Sequence, residues 1–187
     1  MRVRVIALLW VIFLLCGCKA NKDPLDDVIV LRNRILESGG CGFTASVCAD
    51  YGEKLYEFTM ECQTNKAGDL TFTVAEPTTI SGIQGVVSND GGALTFDDKV
   101  LAFETIADGQ IAPVTAPWLL MKTLRSGYIK CCTDSENGFQ VMIDDSYAEE
   151  AFHLNIWVNE SQLPVGGEIF WDGRRILSVK VENFTFL

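Results

Sequence analysis

A change of period at Phe43 constrains the fold more than any other feature of the sequence. Between Pro24 and Ser38 the apolar residues Leu25, Val28, Leu31 and Ile35 recur at three- and four-residue spacing, widened by Ile29 and Leu36, while Arg32, Arg34 and Glu37 take the polar side. Asp23 suits the N-cap, Pro24 the first helical position, and Asp26 and Asp27 the positive end of the helix dipole; Gly39-Gly40 closes the helix. From Phe43 the period is two. Phe43, Ala45 and Val47 alternate with Thr44, Ser46 and Cys48, and the same alternation continues over Tyr56–Cys62 and Leu70–Val74, with turn signals at Tyr51–Glu53 and Asn65–Asp69. Further strands are expected over 80–87, 93–97 and 100–106, with Asn89–Gly92 as a hairpin turn.

The strands are interrupted once. Thr115, Ala116 and Pro117 begin a second helix, which runs through Trp118 to Arg125 and is closed by Gly127. Strands resume over 128–133, 138–144, 150–158, 165–171 and 174–187. In the last of these Leu177, Val179 and Val181 share a parity that Phe184 and Phe186 break, which predicts a bulge near Glu182-Asn183. About ten antiparallel strands with only two helices cannot form separate layers, so the sheet must curl around the helices. The expected class is α+β: a curved, mostly antiparallel sheet, or half-open β-barrel, with an N-terminal helix and a short lid helix on its concave side.

Charge removes whole classes of function. Against 15 Lys+Arg stand 25 Asp+Glu, a formal charge of −10, with no basic run to engage a phosphate backbone, so nucleic acid is not a partner. One histidine excludes His-rich metal centres and two-histidine relays.

Residues 1–17 read as an export signal: Arg2 and Arg4, then an apolar run from Val5 to Leu15 that is short for a membrane span, then small residues. Leu15-Cys16-Gly17-Cys18 resembles the bacterial lipobox, which implies signal cleavage before Cys18 and a lipid on its thiol. The expected organisation is a lipoprotein signal peptide at 1–17, a lipidated Cys18 with a short tether at 18–22, and one domain at 23–187. Lys19–Lys22 reach about 15 Å when extended, so the domain sits close to the extracytoplasmic face of the cell membrane. An acidic body is repelled by anionic headgroups, so attachment falls to the lipid.

From residue 23 onward the chain resembles the bacterial lipoprotein carriers and receptors of the LolA/LolB superfamily, with their mycobacterial lipid-binding relatives and the clostridial GerS-like lipoproteins. The resemblance is carried by the amphipathic helix entering Phe43-Thr44-Ala45, by Leu70 to Pro77 with Ile80-Ser81-Gly82, by Leu94 to Asp98, and by the Pro117-led helix. It implies an apolar cavity for an acyl chain between sheet and helices. Its candidate lining is Tyr56, Phe58, Met60, Phe72, Phe96, Trp118, Leu119, Met121, Phe152, Leu154 and Ile156. Burial alone would also make each of these apolar, so cavity and plain core are both open on the sequence.

Other chemistries are weaker. His153 shares a strand face with Asn155 and Trp157, a solvated position, and a relay with Cys48 or Cys62 lacks any surrounding signature. The glycine pattern at Gly40–Ala45 follows a helix and enters a strand, the reverse of a phosphate-binding turn. Asp97-Asp98, Asp144-Asp145 and Glu149-Glu150 read as solvated acids at strand ends. Of Cys41, Cys48, Cys62, Cys131 and Cys132, at most two disulfides could form, since five is odd. No catalytic residue, metal or cofactor is assigned. The reading is a membrane-anchored, non-enzymatic lipoprotein that binds a lipid or lipoprotein; the alternative is a partner protein that docks an envelope or spore-cortex enzyme.

Mass spectrometry of the mature protein from a bacterial host is expected to show an acylated Cys18 at the N-terminus. Cys18→Ala is expected to shift the protein from the membrane to the soluble fraction; an unlipidated product that starts elsewhere overturns the assignment.

Overall fold

The computed structural model describes residues 24–187 apart from 98, 105, 108 and 109; the export signal, Cys18 and the tether lie outside the described residues. Helix α1 (Pro24–Glu37) leads into eleven strands of one antiparallel sheet. The first six are β1 (Gly40–Asp50), β2 (Leu55–Asn65), β3 (Leu70–Glu76), β4 (Gln84–Ser88), β5 (Gly91–Phe96) and β6 (Lys99–Phe103). A two-stranded ribbon, β7 (Ile106–Ala107) and β8 (Gln110–Ile111), and a 3-10 turn at Pro113–Thr115 lead to helix α2 (Ala116–Ser126). The remaining strands are β9 (Tyr128–Ser135), β10 (Gly138–Asp144), β11 (His153–Asn159), β12 (Pro164–Trp171) and β13 (Arg174–Phe186). The sheet is curved and unclosed, in the order β6-β5-β4-β3-β2-β1-β13-β12-β11-β10-β9.

That order has a simple course. The chain starts at the centre of the sheet, meanders outward to the β6 edge, crosses to the β9 edge through α2, and meanders inward until β13 pairs with β1. Gly39 N–H donates to the Leu187 carbonyl and Leu187 N–H to the Gly40 carbonyl, both at 2.9 Å, so the last residue is stitched to the start of the first strand.

The expected α+β class and half-open sheet are observed, and the period change at Phe43 marks the passage from α1 into β1. The bulge is present: Gly42 pairs with Thr185 and Thr44 with Glu182, and Asn183 adopts φ 55°. The extra residue turns Phe184 onto Phe43 in a stack at 5.7 Å and sets Phe186 under the Arg34 guanidinium at 4.3 Å. Four expectations about strand spans and the α1 stripe are corrected. Residues 80–83 form turns rather than strand, because Ile80 and Gly82 return their N–H groups to the carbonyls of Pro77 and Val74. Residues 104 and 106 do not continue β6, which ends at Phe103, and 150–152 precede β11, where Ala151 N–H closes a turn on Ala148. The buried stripe of α1 is narrow: Val28, Leu31 and Ile35 are buried while Leu25, Ile29 and Leu36 are exposed, as befits a helix resting on a curved sheet along one line.

Both helices lie on the face formed by the inward parity of every strand, where the core is continuous. Eight residues of α2 are buried, from Ala116 to Met121 with Thr123 and Leu124, so α2 is packed as core. Its entry is fixed by the Tyr51 hydroxyl, which donates to the Ile111 carbonyl, and by Thr115 Oγ1 donating to Ala112 at 2.7 Å. Its exit is fixed from another helix: Arg32 of α1 donates to the carbonyls of Leu124 and Gly127, each at 2.8 Å, taking up acceptors that the end of a helix leaves open. Gly127 lets this end approach β10, since a Cβ there would stand 2.7 Å from the Asp144 carbonyl oxygen.

Arg32→Ala is expected to destabilise the domain by about 1.5–3 kcal/mol, the usual range for hydrogen bonds from a charged donor. The measurement is urea unfolding, with a lower midpoint at an unchanged slope; an unchanged midpoint would show that the clamp is incidental.

Candidate functional site

The strand register sorts the candidate residues into rows. Across the concave face one row runs Phe43, Cys62, Phe72, Gly85, Leu94 and Leu101, from β1 out to β6. Its first three members are buried, Leu94 is half-buried, and Leu101 at the edge is 65% exposed. A neighbouring row, Leu70, Val87, Gly92 and Phe103, follows the same course. The two glycines make room for rings: a Cβ at Gly85 would fall 2.4 Å from Phe72 Cζ and one at Gly92 2.3 Å from Phe103 Cζ.

Nine of the eleven candidates meet in the core under the helices. Phe58, Met60 and Phe72 come from β2 and β3, Leu154 and Ile156 from β11, Phe152 from the turn before it, and Trp118, Leu119 and Met121 from α2; all are buried. Helix α2 packs against β1, β10, β11 and β13. Tyr56 and Phe96 stand apart from these nine. Both have inward parity, yet they stand at strand ends where no helix covers them, 44% and 49% exposed, and Tyr56 instead meets Tyr51 edge-on at 6.2 Å. Leu94, Leu101 and Phe103, which join Phe96 on the open part of the concave face, were missed; the alternation over 100–103 was their signal.

The single histidine is not part of a cysteine relay. β11 is separated from β1 by β12 and β13, so His153 is about 14 Å of strand spacing from Cys48 and about 19 Å from Cys62. Burial pushes the Cys41 and Cys62 thiols up, which disfavours the nucleophilic thiolate; Ser38, Thr64 and Arg125 offset it only in part at Cys41, and Glu61 adds to it at Cys62. Cys41, Cys48, Cys62 and Cys131 are free thiols.

What His153 does contact is Asp144, Nδ1 to Oδ1 at 2.6 Å, while Lys130 Nζ lies 2.8 Å from the other oxygen. Asp144 is therefore a correction to the expectation of solvated acids, for it is only 6% exposed. Burial acts to raise its pKa, but the hydrogen bonds and charges of Lys130 and His153 outweigh that and hold the carboxyl below its ordinary value. Its neighbour Asp145 accepts from the Phe152 N–H at 2.8 Å and faces Lys122 at 3.8 Å, so this pair of acids is spent on holding β10, β11 and α2 together.

No protein-family model matches the chain, and no curated protein sequence matches it. Among solved structures it is similar to an uncharacterized conserved protein from Thermus thermophilus, at 10% identity over 87% of each chain and a TM-score of 0.48. It is similar also to a LolA superfamily protein from Nitrosomonas europaea, at 8% identity over 89% of this chain and 94% of that one, TM-score 0.46. A putative outer membrane lipoprotein-sorting protein domain from Vibrio parahaemolyticus matches at 9% identity over 87% and 91%, TM-score 0.48. The last two bear names of the group that the sequence resembles. At these identities and TM-scores the likeness assigns no residue its role.

Because the folded pKa of Asp144 lies below its unfolded value of about 3.8, its contribution to stability is complete above that value and is lost as the pH falls through the folded pKa. Asp144→Asn is expected to lower the urea midpoint at pH 7, and the deficit is expected to shrink as the pH falls below about 4, into the range where the wild-type carboxyl takes up its proton. A deficit independent of pH would show that packing, not charge, sets the loss.

Proposed function

We propose that this chain is a bacterial lipoprotein, anchored through Cys18 at the extracytoplasmic face of the cell membrane, that binds an acyl chain without catalysing a reaction on it. The observation that supports the reading is the apolar row that leaves the packed core at β4 and continues uncovered onto β5 and β6, with Leu94 half-buried and Phe96 and Leu101 exposed. A soluble domain gains nothing from presenting a contiguous apolar trough to water, and such surfaces mark places where something binds. An extended acyl chain suits a strip one or two side chains wide. Covering Phe96 and Leu101 contributes at most about 3 kcal/mol each, so the ligand is held loosely enough to be passed on.

The reading also assigns different work to the two halves of the concave face. Under α2 the space is filled by Trp118, Leu119, Leu120 and Met121, all buried. The acyl chain lies outboard, with Phe72 and Phe103 at the boundary. A short tether keeps that trough within reach of membrane lipid, and the acidic body keeps it from being pressed flat against anionic headgroups.

Phe96→Asp and Leu101→Asp are expected to abolish binding of a fluorescent fatty-acyl probe while changing stability by no more than about 0.5 kcal/mol, as exposed positions do. Leu119→Asp, which places a charge in the packed core, is expected to cost several kcal/mol and unfold the domain. The two measurements are probe titration and thermal unfolding. Wild-type protein that takes up no acyl probe overturns the lipid reading in favour of a partner protein docked on the same trough, a reading that the filled space under α2 favours.

A further inference from the structure

The helix-free face of the sheet holds a second concavity, an open groove of about 820 Å³ across β2, β1, β13, β12 and β11. Its depth follows from the register. One row across it is Glu57, Cys48, Ser178 and Glu168, and the next ends in Ser46, Lys180, Gly166 and Trp157. Small side chains at Ser46, Cys48, Ser178 and Gly166 thus occupy the floor beside Lys180, with larger ones at its sides and Pro77 and Thr78 on the rim. Gly166 cannot carry a side chain, since a Cβ there would stand 2.7 Å from the Val179 carbonyl oxygen, and the floor beside Trp157 is left open as a result.

We propose that this groove is a binding site for a neutral oligosaccharide, lying against Trp157 and hydrogen-bonded by the carboxylates and hydroxyls of the floor. Three observations select that class. The volume, about 820 Å³, is enough to seat a small-molecule ligand. The charges oppose an anion and leave no free base for one: Glu57, Glu76 and Glu168 line the groove, Glu168 is bound by Arg175 at 2.5 Å, and the Lys180 ammonium is held by Glu182 at 2.9 Å. An extended peptide has no backbone to pair with, because each floor strand from β2 to β11 already has a neighbour on both sides. What remains is a ligand with many hydroxyls and an apolar ring face. Carboxylates accept hydroxyl pairs, Ser46, Thr59 and Ser178 both donate and accept, and the indole of Trp157 with Val165 supplies the apolar surface for the ring. The site shares no residue with the apolar trough and stands independently of the acyl reading.

The test is titration of the whole domain with maltotetraose, cellotetraose and chitotetraose, followed by calorimetry and by saturation transfer from protein to sugar protons. The expected result is saturable binding of one of the three. Trp157→Ala is expected to weaken it about tenfold or more, Trp157→Phe to keep most of it, and Ser178→Tyr, which fills the floor, to remove it. Circular dichroism and acyl-probe uptake report that each variant is folded. Binding that survives both Trp157→Ala and Ser178→Tyr, no binding of any of the three sugars, or spermine or a flexible hexapeptide taken up at Trp157 in their place overturns the proposal.

Discussion

The passage of α2 across the concave face is the constraint around which the rest of the structure is arranged. A sheet built outward from its centre strands the chain at one edge, and the second half must begin at the other. The route between them lies through an apolar interior. Only a helix crosses such a space cheaply, since it satisfies its backbone groups from within and leaves only its ends to be met. Here the ends are met by specific partners. Pro117 near the start has no N–H to lose, Thr115 ties the entry down, and at the exit Arg32 reaches over from α1 to two carbonyls. The Arg32 guanidinium is half-buried to do this, and desolvation lowers its pKa without threatening its charge. The strands curl because they must bury α2 and α1 together, and the fully buried Leu119, Leu120 and Leu124 record how closely they do so.

How much of this is legible in the sequence depends on the range of the interaction. Period and turns are local, so α1, α2, the strand parities and the bulge beside Asn183 could be read directly, while the expected cap at Asp23 lies outside the described residues. Parity tells which face a residue takes but not what lies above it. Phe72 and Phe96 have equal claims in the sequence, yet one is under the core and the other is open, because cover depends on where α2 crosses and that is set by strand order. The same holds for Asp144. Next to Asp145 it looks like a solvated acid, and it becomes a buried one only when β9 brings Lys130 and β11 brings His153 to its two oxygens. The expectation of α2 as a lid is corrected for this reason as well: Trp118, Leu119 and Met121 would look the same in a lid, and the strand order buries all three in the core.

The two faces of the sheet are chemically unlike and physically uncoupled. Inward positions along β1 and β2 are mostly Cys, Phe, Ala, Val and Met, while the alternate positions are mostly Ser, Thr, Glu and other polar residues, so a single strand contributes to an apolar face and a polar groove at once. Period two is what permits this. A substitution on one parity leaves the other nearly untouched, and a slip of one residue would exchange the two faces entirely. The bulge opposite Phe43 guards that register from the β13 side, as it fits only one alignment of the two central strands.

The pairing of β1 with β13 also sets the order in which the domain can be made. These are the two longest neighbours at the middle of the sheet, and they are the first and the last strands of the chain. As the polypeptide is synthesised, β1 to β6 can assemble as a meander, but the inner edge of β1 stays open until β13 arrives. Loop closure over nearly the whole domain then completes the sheet in one late step. Such a chain stays loose while it is being made and locks only when β13 is free to pair, so the domain has no partial form in which its central strands are closed.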